Sequence, residues 1–245
     1  MYRRGELPGI PDAGVEGELV RAALTGAGLR RILEIGCGTG RLVPLLRSLA
    51  AGYVGLDRDR HMLRDSRSRF IADGASSFVR GNALRLPFRD GSYSAVVMVR
   101  VYHRLGDPPT ALAEARRMIA PGGKMVLAVF PRPSLATLTF DIWRAISGGF
   151  RHPGLTFARE GRVEIPNGSH DGFVETLRST FARVNDAGFR VVQAWGCGYE
   201  DLPVLRRLPS AFWFRLARSI RKPRWFPCVV VVAEPTGTLG SGSTS

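Results

Sequence analysis

Three glycines alternate with other residues between Gly36 and Gly40. They directly follow the apolar residues 32–35, which only Glu34 interrupts. The apolar run predicts a short buried strand, and the apolar spacing from Arg41 onward predicts a helix. Because glycine has no Cβ, the turn between strand and helix lets the backbone approach a ligand closely. Strand, turn and helix start together present backbone N–H groups, as nucleotide sites do.

The spacing of the glycines selects among nucleotide ligands. Dinucleotide sites use Gly-x-Gly-x-x-Gly, whereas Gly38 is separated by a single residue from each neighbouring glycine. Arg41 stands where the third dinucleotide glycine would be. A carboxylate at Glu34 repels a pyrophosphate and suits a ligand with an ammonium or sulfonium cation. We therefore expect no nicotinamide dinucleotide here.

A second carboxylate follows a second short strand. Residues 53–56 predict a buried strand, and Asp57 follows it, seventeen residues after Gly40. A carboxylate at this point of a βαβ unit can accept both hydroxyls of a ribose. Asp59 is the alternative ribose ligand, but the strand-end position favours Asp57 and predicts that Asp59 caps the next helix.

Together these residues resemble the class I S-adenosylmethionine (SAM)-dependent methyltransferases, and within them the small-molecule and ubiquinone-biosynthesis-like family (methyltransferase type 11). The family's acid-x-Gly-x-Gly-x-Gly motif matches residues 34–40, and its ribose-binding acid falls on Asp57. Further motifs match at residues 81–88, 101–105 and 120–124. The resemblance covers roughly residues 15 to 130 and weakens beyond them.

The resemblance implies an α/β fold: a doubly wound, Rossmann-like sheet of seven strands, mostly parallel with one antiparallel strand, and helices on both faces. We expect one SAM-dependent methyltransferase domain over residues 1–245. Within it, 1–14 form a flexible N-terminal arm and 237–245 a flexible tail. Two insertions, 131–171 and 196–224, form a lid or substrate pocket.

Hydrophobic periodicity places further elements after the central motif. It predicts a helix over 110–119, a fifth strand over 124–130 and a helix over 172–187. Asp107, followed by prolines, predicts the cap of the first of these helices. Ser94 stands where the family commonly has an aspartate, and we expect it to affect the start of the fourth strand rather than the chemistry.

The resemblance also implies the residues that bind SAM. Carried over position by position, the set is Glu34, Gly36, Cys37, Gly38, Gly40, Asp57, Arg58, Asn82, Ala83, Val99 and Arg100. At Asn82 the family usually has an aspartate that accepts a hydrogen bond from the adenine amino group. An asparagine carbonyl can accept that bond without charge, and the alternative role for Asn82 is that of a turn residue.

His103 is the candidate catalytic residue. It follows the fourth strand, on the side of the sheet where open α/β folds bind ligands, and it could act as a general base toward the methyl acceptor. The alternative is a role at a helix start or in packing. The implied reaction is in-line displacement at the sulfonium methyl group, which requires no metal, and we predict none.

Composition limits the cellular context. The chain has 245 residues, 44% of them hydrophobic, enough for one substantial core. No apolar run approaches the length of a membrane span, and the start of the chain lacks a signal-peptide core. The three cysteines form no Cys-x-x-Cys pair. These features predict a reduced, cytoplasmic setting.

A net charge of +14 admits several partners. Nucleic acid, an anionic membrane or an acidic substrate would fit it, and so would arginines scattered over a solvated surface. The cationic, aromatic segment 211–221 could bind a membrane or cover the substrate pocket, and we favour the pocket. We expect a small-molecule methyl acceptor. The alternatives are an RNA or protein methyltransferase and an inactive SAM-binding scaffold.

Overall fold

A computed structural model of the protein describes residues 14–26, 28–70, 74–132, 161–164, 171–198, 209–219, 223 and 226–237. The described strands are β1 (Arg31–Ile35), β2 (Gly52–Asp57), β3 (Ser76–Arg80), β4 (Tyr93–Val99), β5 (Ile119–Val129), β6 (Gly161–Glu164), β7 (Asp171–Val174), β8 (Phe189–Cys197) and β9 (Cys228–Pro235). Seven of them form the main sheet, in the order β3-β2-β1-β4-β5-β9-β8. The separate pair β6 and β7 is antiparallel.

The helices are α1 (Gly14–Leu24), α2 (Val43–Arg47), α3 (Arg60–Phe70), α4 (Pro108–Met118), α5 (Leu177–Asp186) and α6 (Ser210–Ser219), with a 3-10 turn at Tyr102–Arg104. In the main sheet, β9 is antiparallel to both of its neighbours, and the strands from β3 to β5 are parallel. This topology confirms the predicted doubly wound, Rossmann-like α/β fold with one antiparallel strand.

The sheet is buried on both faces, because successive side chains of a strand point to opposite sides. In β1, Ile32 belongs to the apolar cluster that also contains residues of α1, α2 and α6, whereas Leu33 belongs to the cluster on the other face, with residues of α4 and α5. Strand β4 is an apolar run whose residues from Ala95 to Met98 have no solvent exposure. A run of this kind is typical of a parallel strand covered on both sides.

The fifth strand begins earlier than predicted, at Ile119 instead of Lys124. Ile119 pairs with Tyr93, and the register then shifts so that Lys124 pairs with Ala95. The glycine-containing turn at 121–123 is therefore an irregularity inside the strand. A Cβ at Gly123 would lie 2.7 Å from the carbonyl oxygen of Ser94, so only glycine fits this close approach.

The helix predicted over 172–187 is shorter in the structure. Residues 171–174 instead form β7, which pairs with β6, and the helix begins at Leu177. Thr176 caps the helix, because its Oγ1 accepts the N–H of Ser179 at 3.1 Å. The prediction failed because hydrophobic periodicity does not show that residues 171–174 pair with the distant strand β6.

Several predicted segments lie outside the described residues. They are most of the arm (1–13), most of the first insertion (133–160 and 165–170), part of the second (199–208, 220–222 and 224) and most of the tail (238–245). Among the helices that the structure describes, none combines the length and the hydropathy needed to cross a bilayer.

Candidate functional site

The strand order brings the predicted site residues together at the carboxyl ends of the strands, which form one edge of the sheet. Strands β3, β2, β1 and β4 are neighbours and run parallel, so their carboxyl ends lie side by side. Asn82 follows β3, Asp57 ends β2, the glycine loop follows β1, and Arg100 follows β4. In open α/β sheets this edge is where ligands bind.

The three loop glycines have different reasons to be glycine, although all have positive φ. A Cβ at Gly36 would collide with Val101, and one at Gly40 would lie 2.7 Å from the ring of Phe70. A Cβ at Gly38, with φ of 54°, would meet none of the described residues within 4 Å. Gly36 and Gly40 are therefore required by packing, whereas within the described part of the chain Gly38 borders open space.

Asp57 links the end of β2 to the glycine loop. Its Oδ2 accepts the N–H of Gly38 at 2.8 Å, and its Oδ1 accepts the N–H of Asp59 at 2.9 Å. Asp59 in turn accepts the N–H of His61 at 2.7 Å, which confirms the predicted helix cap. Asp57 thus fixes the loop at the glycine that borders the open space, and its carboxylate oxygens retain further lone pairs for a ribose.

The residues expected near the adenine lie at the ends of β2 and β3. Asn82 is exposed, and its Oδ1 accepts the N–H of Leu84 at 3.0 Å, which is the turn role considered as the alternative. A second lone pair on that oxygen leaves the adenine role open as a prediction. Arg58 is also exposed and supplies a carbonyl to Arg80, and Ala83 packs against the core.

Glu34 lies beneath the glycine loop, in a buried polar cluster. The residue is 3% exposed, and its Oε2 accepts a 2.5 Å hydrogen bond from the hydroxyl of Tyr53. Burial raises the pKa of Glu34 to about 7, despite the opposing Tyr53 bond and the charge of Arg41. Burial also raises the pKa of the Cys37 thiol well above its usual range, and Glu34 adds to the shift.

Burial of Glu34 bears on its predicted contact with a cationic ligand. The structure places its carboxylate in a cluster with Tyr53 and Cys37, so direct contact with the cofactor's cationic tail stays a prediction. The start of the loop is held by backbone bonds, because the N–H groups of Gly36 and Cys37 both donate to the carbonyl of Leu56.

We expect Glu34→Gln to stabilise the ligand-free protein at pH 8 and to have little effect at pH 5. The folded-state pKa is raised, so ionisation of Glu34 above its unfolded value costs stability as pH rises from about 4.5 toward 7. The shift limits this cost to about 3 kcal/mol, and glutamine mimics the protonated acid. Urea unfolding at both pH values measures the effect. An equal change at pH 5 and pH 8 would contradict it.

The end of β4 carries the predicted residues for the methionine half of the cofactor. Val99 is 6% exposed, whereas Arg100 is exposed and has a φ of 61°. Ser94, near the start of this strand, accepts the backbone N–H of Arg30 at 3.1 Å. Ser94 thus ties β4 to the start of β1, in agreement with the structural role predicted for it.

His103 lies in the 3-10 turn after β4, and its ring packs edge-to-face on Phe130 at 5.1 Å. Its pKa is lowered to about 4. Burial is the largest cause, and three nearby guanidiniums act in the same direction: Arg104, Arg100 and Arg132. The imidazole is therefore neutral at physiological pH. Its Nδ1 is buried and makes no hydrogen bond within the described part of the chain.

Two buried acids at this edge were missed by sequence reasoning. Glu175, 5% exposed, pairs with Arg183 at 2.9 Å, and it adds to burial in raising the pKa of Tyr102. Glu16, 3% exposed, lies on the core-facing side of α1. An acid among the apolar positions of an amphipathic helix was the available signal for Glu16, since such a residue needs a buried partner.

The domain match and the topology agree on the class of protein. Residues 33–127 match the family described as a methyltransferase domain. A SAM-dependent methyltransferase of Mesorhizobium loti has the same fold, with a TM-score of 0.64 and 19% identity, covering 92% of this chain and 99% of that one. Residues 33–127 therefore match a methyltransferase domain in sequence, and the sheet that contains them has the fold of a SAM-dependent methyltransferase. Among the described residues the space beside Gly38 is open and bordered by Asp57, so a nucleoside cofactor at this place is compatible with the structure.

Two of the relatives found by sequence have the same name. A demethylmenaquinone methyltransferase of Thermus thermophilus is 38% identical over 107 residues, which are 42% of this chain and 49% of that protein. Another protein of that name, from Beutenbergia cavernae, is 29% identical over 191 residues, 74% of each chain. The chain spans 49%, 45% and 42% of the lengths of the first three curated relatives.

Proposed function

We propose that the protein transfers a methyl group from SAM to a small aromatic acceptor with an ionisable hydroxyl group, at the hydroxyl oxygen or at a ring carbon activated by it. The observation that carries this proposal is the arrangement of residues at the carboxyl ends of β1, β2 and β4. There the open space at Gly38 lies beside Asp57, and the half-buried His103 follows the adjacent β4. The edge supplies a nucleoside site and, next to it, a place for an acceptor.

SAM supplies an electrophilic methyl group when bound, so the residues of this chain have to align the acceptor and manage its proton. Burial lowers the pKa of His103 most, and the nearby guanidiniums add to the shift; their positive field also favours the anionic form of an acceptor hydroxyl. Nε2 of the neutral imidazole accepts a 3.4 Å hydrogen bond from Arg104, which the acceptor hydroxyl would replace when it delivers its proton. The weakly basic imidazole and the positive field would act together on the acceptor proton.

Two observations support this class of acceptor: the positive field near His103 and the names of the relatives. A phenolic or quinol hydroxyl ionises more readily than an alcohol, so a cationic site activates it most. The demethylmenaquinone methyltransferases, which align over part of the chain, support an aromatic acceptor of the quinol type. We further propose that residues 1–245 form one domain and that the insertions 131–171 and 196–224 enclose the acceptor.

Part of the arginine content has a structural use, so the net charge is not by itself evidence for nucleic acid. Several arginines donate to backbone carbonyls and so hold loops in place: Arg47 to Ala50, Arg67 to Phe78, Arg116 to Gly188 and Arg117 to Leu86. RNA or protein methylation therefore has only the net charge in its favour.

Helix α6 supports the pocket-cover hypothesis for residues 211–221. Trp213 and Ala217 are buried in the core beside α1, so one face of the helix packs on the domain. Phe212 is 46% exposed and lies on a surface with Arg215. That surface leaves peripheral contact with an anionic membrane as a secondary proposal. The cytoplasmic location expected from the cysteines remains a proposal as well.

The proposal is tested by methyl transfer from radiolabelled SAM to a matched panel of acceptors. The panel holds a naphthoquinol that lacks its ring methyl group, a catechol, a primary amine and total RNA. We expect label in the aromatic hydroxyl compounds. Calorimetry on the same protein should show binding of SAM and none of NAD. Label in RNA alone would favour the nucleic-acid alternative, and SAM binding without transfer to any acceptor would favour the scaffold.

For His103→Gln we expect turnover to fall by about a hundred-fold, within the usual range for a lost proton acceptor. The Kd for S-adenosylhomocysteine should stay within about two-fold, because the residue lies on the acceptor side. The wild-type pH profile should show no inflection near the ordinary histidine pKa of 6.5, since the pKa of His103 is about 4. Unchanged turnover in the variant would reduce His103 to a packing residue.

A further inference from the structure

Three consecutive residues after β4 contact three different parts of the protein. Val101 occupies the space above Gly36 of the glycine loop, where a Cβ would collide with it. Tyr102 is buried in the apolar cluster that also contains residues of α4 and α5. The ring of His103 packs on Phe130. Because adjacent residues of one turn cannot move independently, the contacts of Tyr102 help to determine where the imidazole lies.

The 3-10 segment that carries His103 is a single turn. The N–H of Arg104 donates to the carbonyl of Val101 at 2.8 Å. The N–H of Leu105 donates to the carbonyl of Tyr102 at 3.2 Å. Hydrogen bonds of the 3-10 type have poorer geometry than those of an α-helix, so such segments are short. The orientation of the imidazole therefore depends on the tertiary contacts of the turn.

Glu175, which follows β7, connects the elements around this turn. Its carbonyl accepts the N–H of Arg132 at 3.0 Å, two residues after Phe130. Its Oε2 accepts from Arg183 Nε on α5 at 2.9 Å. The guanidinium of Arg183 also lies over the ring of Phe173 on β7, 5.2 Å from its centroid. Glu175 thus joins the end of β5 to α5, and β7 packs against the turn of His103.

Two buried polar atoms lie where Glu175 approaches the turn. The hydroxyl of Tyr102 and the Oε1 of Glu175 make no hydrogen bond within the described part of the chain. The two groups are neighbours, because Glu175 is the main cause, after burial, of the raised pKa of Tyr102. A buried polar group left unpaired costs about 1–3 kcal/mol. A hydroxyl donor beside a carboxylate oxygen removes this cost for both groups when the two form a bond.

We propose that the Tyr102 hydroxyl donates to Glu175, and that Glu175 is thereby a positioning residue for His103. The role in turnover rests on the proposed function, in which His103 receives the acceptor proton. Glu175 acts through position rather than through charge, because Arg183 pairs with its carboxylate. Glu175 also lies beyond residues 33–127, the part of the chain that matches the methyltransferase domain.

NMR of the histidine rings tests the position of His103 without any ligand. The chain has four histidines, and the His103 signals are those that His103→Gln removes. The ring current of Phe130 shifts these signals, because the two rings are 5.1 Å apart. We expect Tyr102→Phe and Glu175→Gln to shift them and to leave the other three histidines unchanged.

Tyr93→Phe is the matched control. It removes the hydroxyl of another buried tyrosine of the same apolar cluster, at the start of β4. This variant should leave all four histidine rings unchanged, and thermal melting verifies the folding of every variant. Tyr102→Phe removes a single oxygen atom, so it decides the question if Glu175→Gln does not fold. Unchanged His103 signals in the folded variants would overturn the proposal.

A double-mutant experiment tests whether the effect on turnover passes through His103. With the panel acceptor that wild type methylates fastest, Tyr102→Phe and Glu175→Gln should each lower kcat by about ten-fold, because a displaced proton acceptor is less effective. The KM for the acceptor and the Kd for S-adenosylhomocysteine should stay within about two-fold.

In the His103→Gln background, neither substitution should lower kcat by more than about a further two-fold, since the residue that they position is gone. The full ten-fold loss in that background would overturn the positioning role. Wild type that methylates no acceptor would refute the proposed function, and the NMR signals would still decide whether Glu175 positions His103.

Discussion

Replacing Gly38 by valine should abolish SAM binding while the protein stays folded. A Cβ at this position meets none of the described residues within 4 Å, so the space that it enters is the space proposed for the ligand. Inserting atoms into an occupied site typically costs about 1–3 kcal/mol or more, and the loop can no longer approach the ligand. We expect the Kd for S-adenosylhomocysteine to rise by about a hundred-fold or more in calorimetry.

Backbone strain must be separated from this ligand clash. Gly38 has a φ of 54°, so valine there is strained with or without a ligand. Gly122 is the matched control, because its φ is 74° and a Cβ would also meet nothing within 4 Å. It lies in the turn that precedes the regular part of β5, at the opposite edge of the sheet. Gly122→Val should lose comparable stability and keep its affinity for S-adenosylhomocysteine. A comparable loss of affinity in both variants would attribute the effect to strain.

Asp57→Ala should weaken SAM binding by about 1–3 kcal/mol, the usual scale for leaving polar groups unpaired. Two losses combine in this variant. The Gly38 N–H loses its acceptor at 2.8 Å, which loosens the loop at the ligand, and the ribose hydroxyls lose the carboxylate proposed to bind them. Calorimetric titration with S-adenosylhomocysteine measures the total effect.

Asp59→Ala tests the choice between the two aspartates at the end of β2. Asp59 accepts the N–H groups of His61 and Met62 at 2.7 and 3.3 Å, so its loss removes a helix cap. We expect about 1 kcal/mol of lost stability in urea unfolding and an unchanged Kd for the cofactor. A larger loss of affinity in Asp59→Ala than in Asp57→Ala would reverse the assignment.

The buried acids divide the edge of the sheet into regions with different electrostatics. Burial raises the pKa of Glu34 to about 7, so this acid is only partly ionised at neutral pH, and it accepts a hydrogen bond from Tyr53. Glu16 is paired with Arg41 and Arg100. Near His103, burial is the main cause that keeps the imidazole neutral, and three guanidiniums act in the same direction. An acceptor that loses a proton is favoured in such a region, and a cationic one is not.

The sequence by itself determined the fold class and predicted where a nucleoside would bind. The glycine loop after β1 and the position of Asp57 at the end of β2 were predictable because they depend on residues that are close together in the chain. Each βα unit is local, and its strand, turn and helix start are short-range features. For the same reason, the cap at Asp59 and the apolar strand β4 were predictable from their own residues.

Tertiary structure alone decided which side chains are exposed at this end of the sheet and which are buried beneath the glycine loop. Glu34 was predicted to meet a cation, but the partner that buries it, Tyr53, lies on the adjacent strand. Glu16 reaches Arg41 and Arg100, which are 25 and 84 residues away in the chain. Helical and strand periodicity record which face of an element is apolar, but not which distant element lies against it. The pKa shifts at this edge follow from that packing.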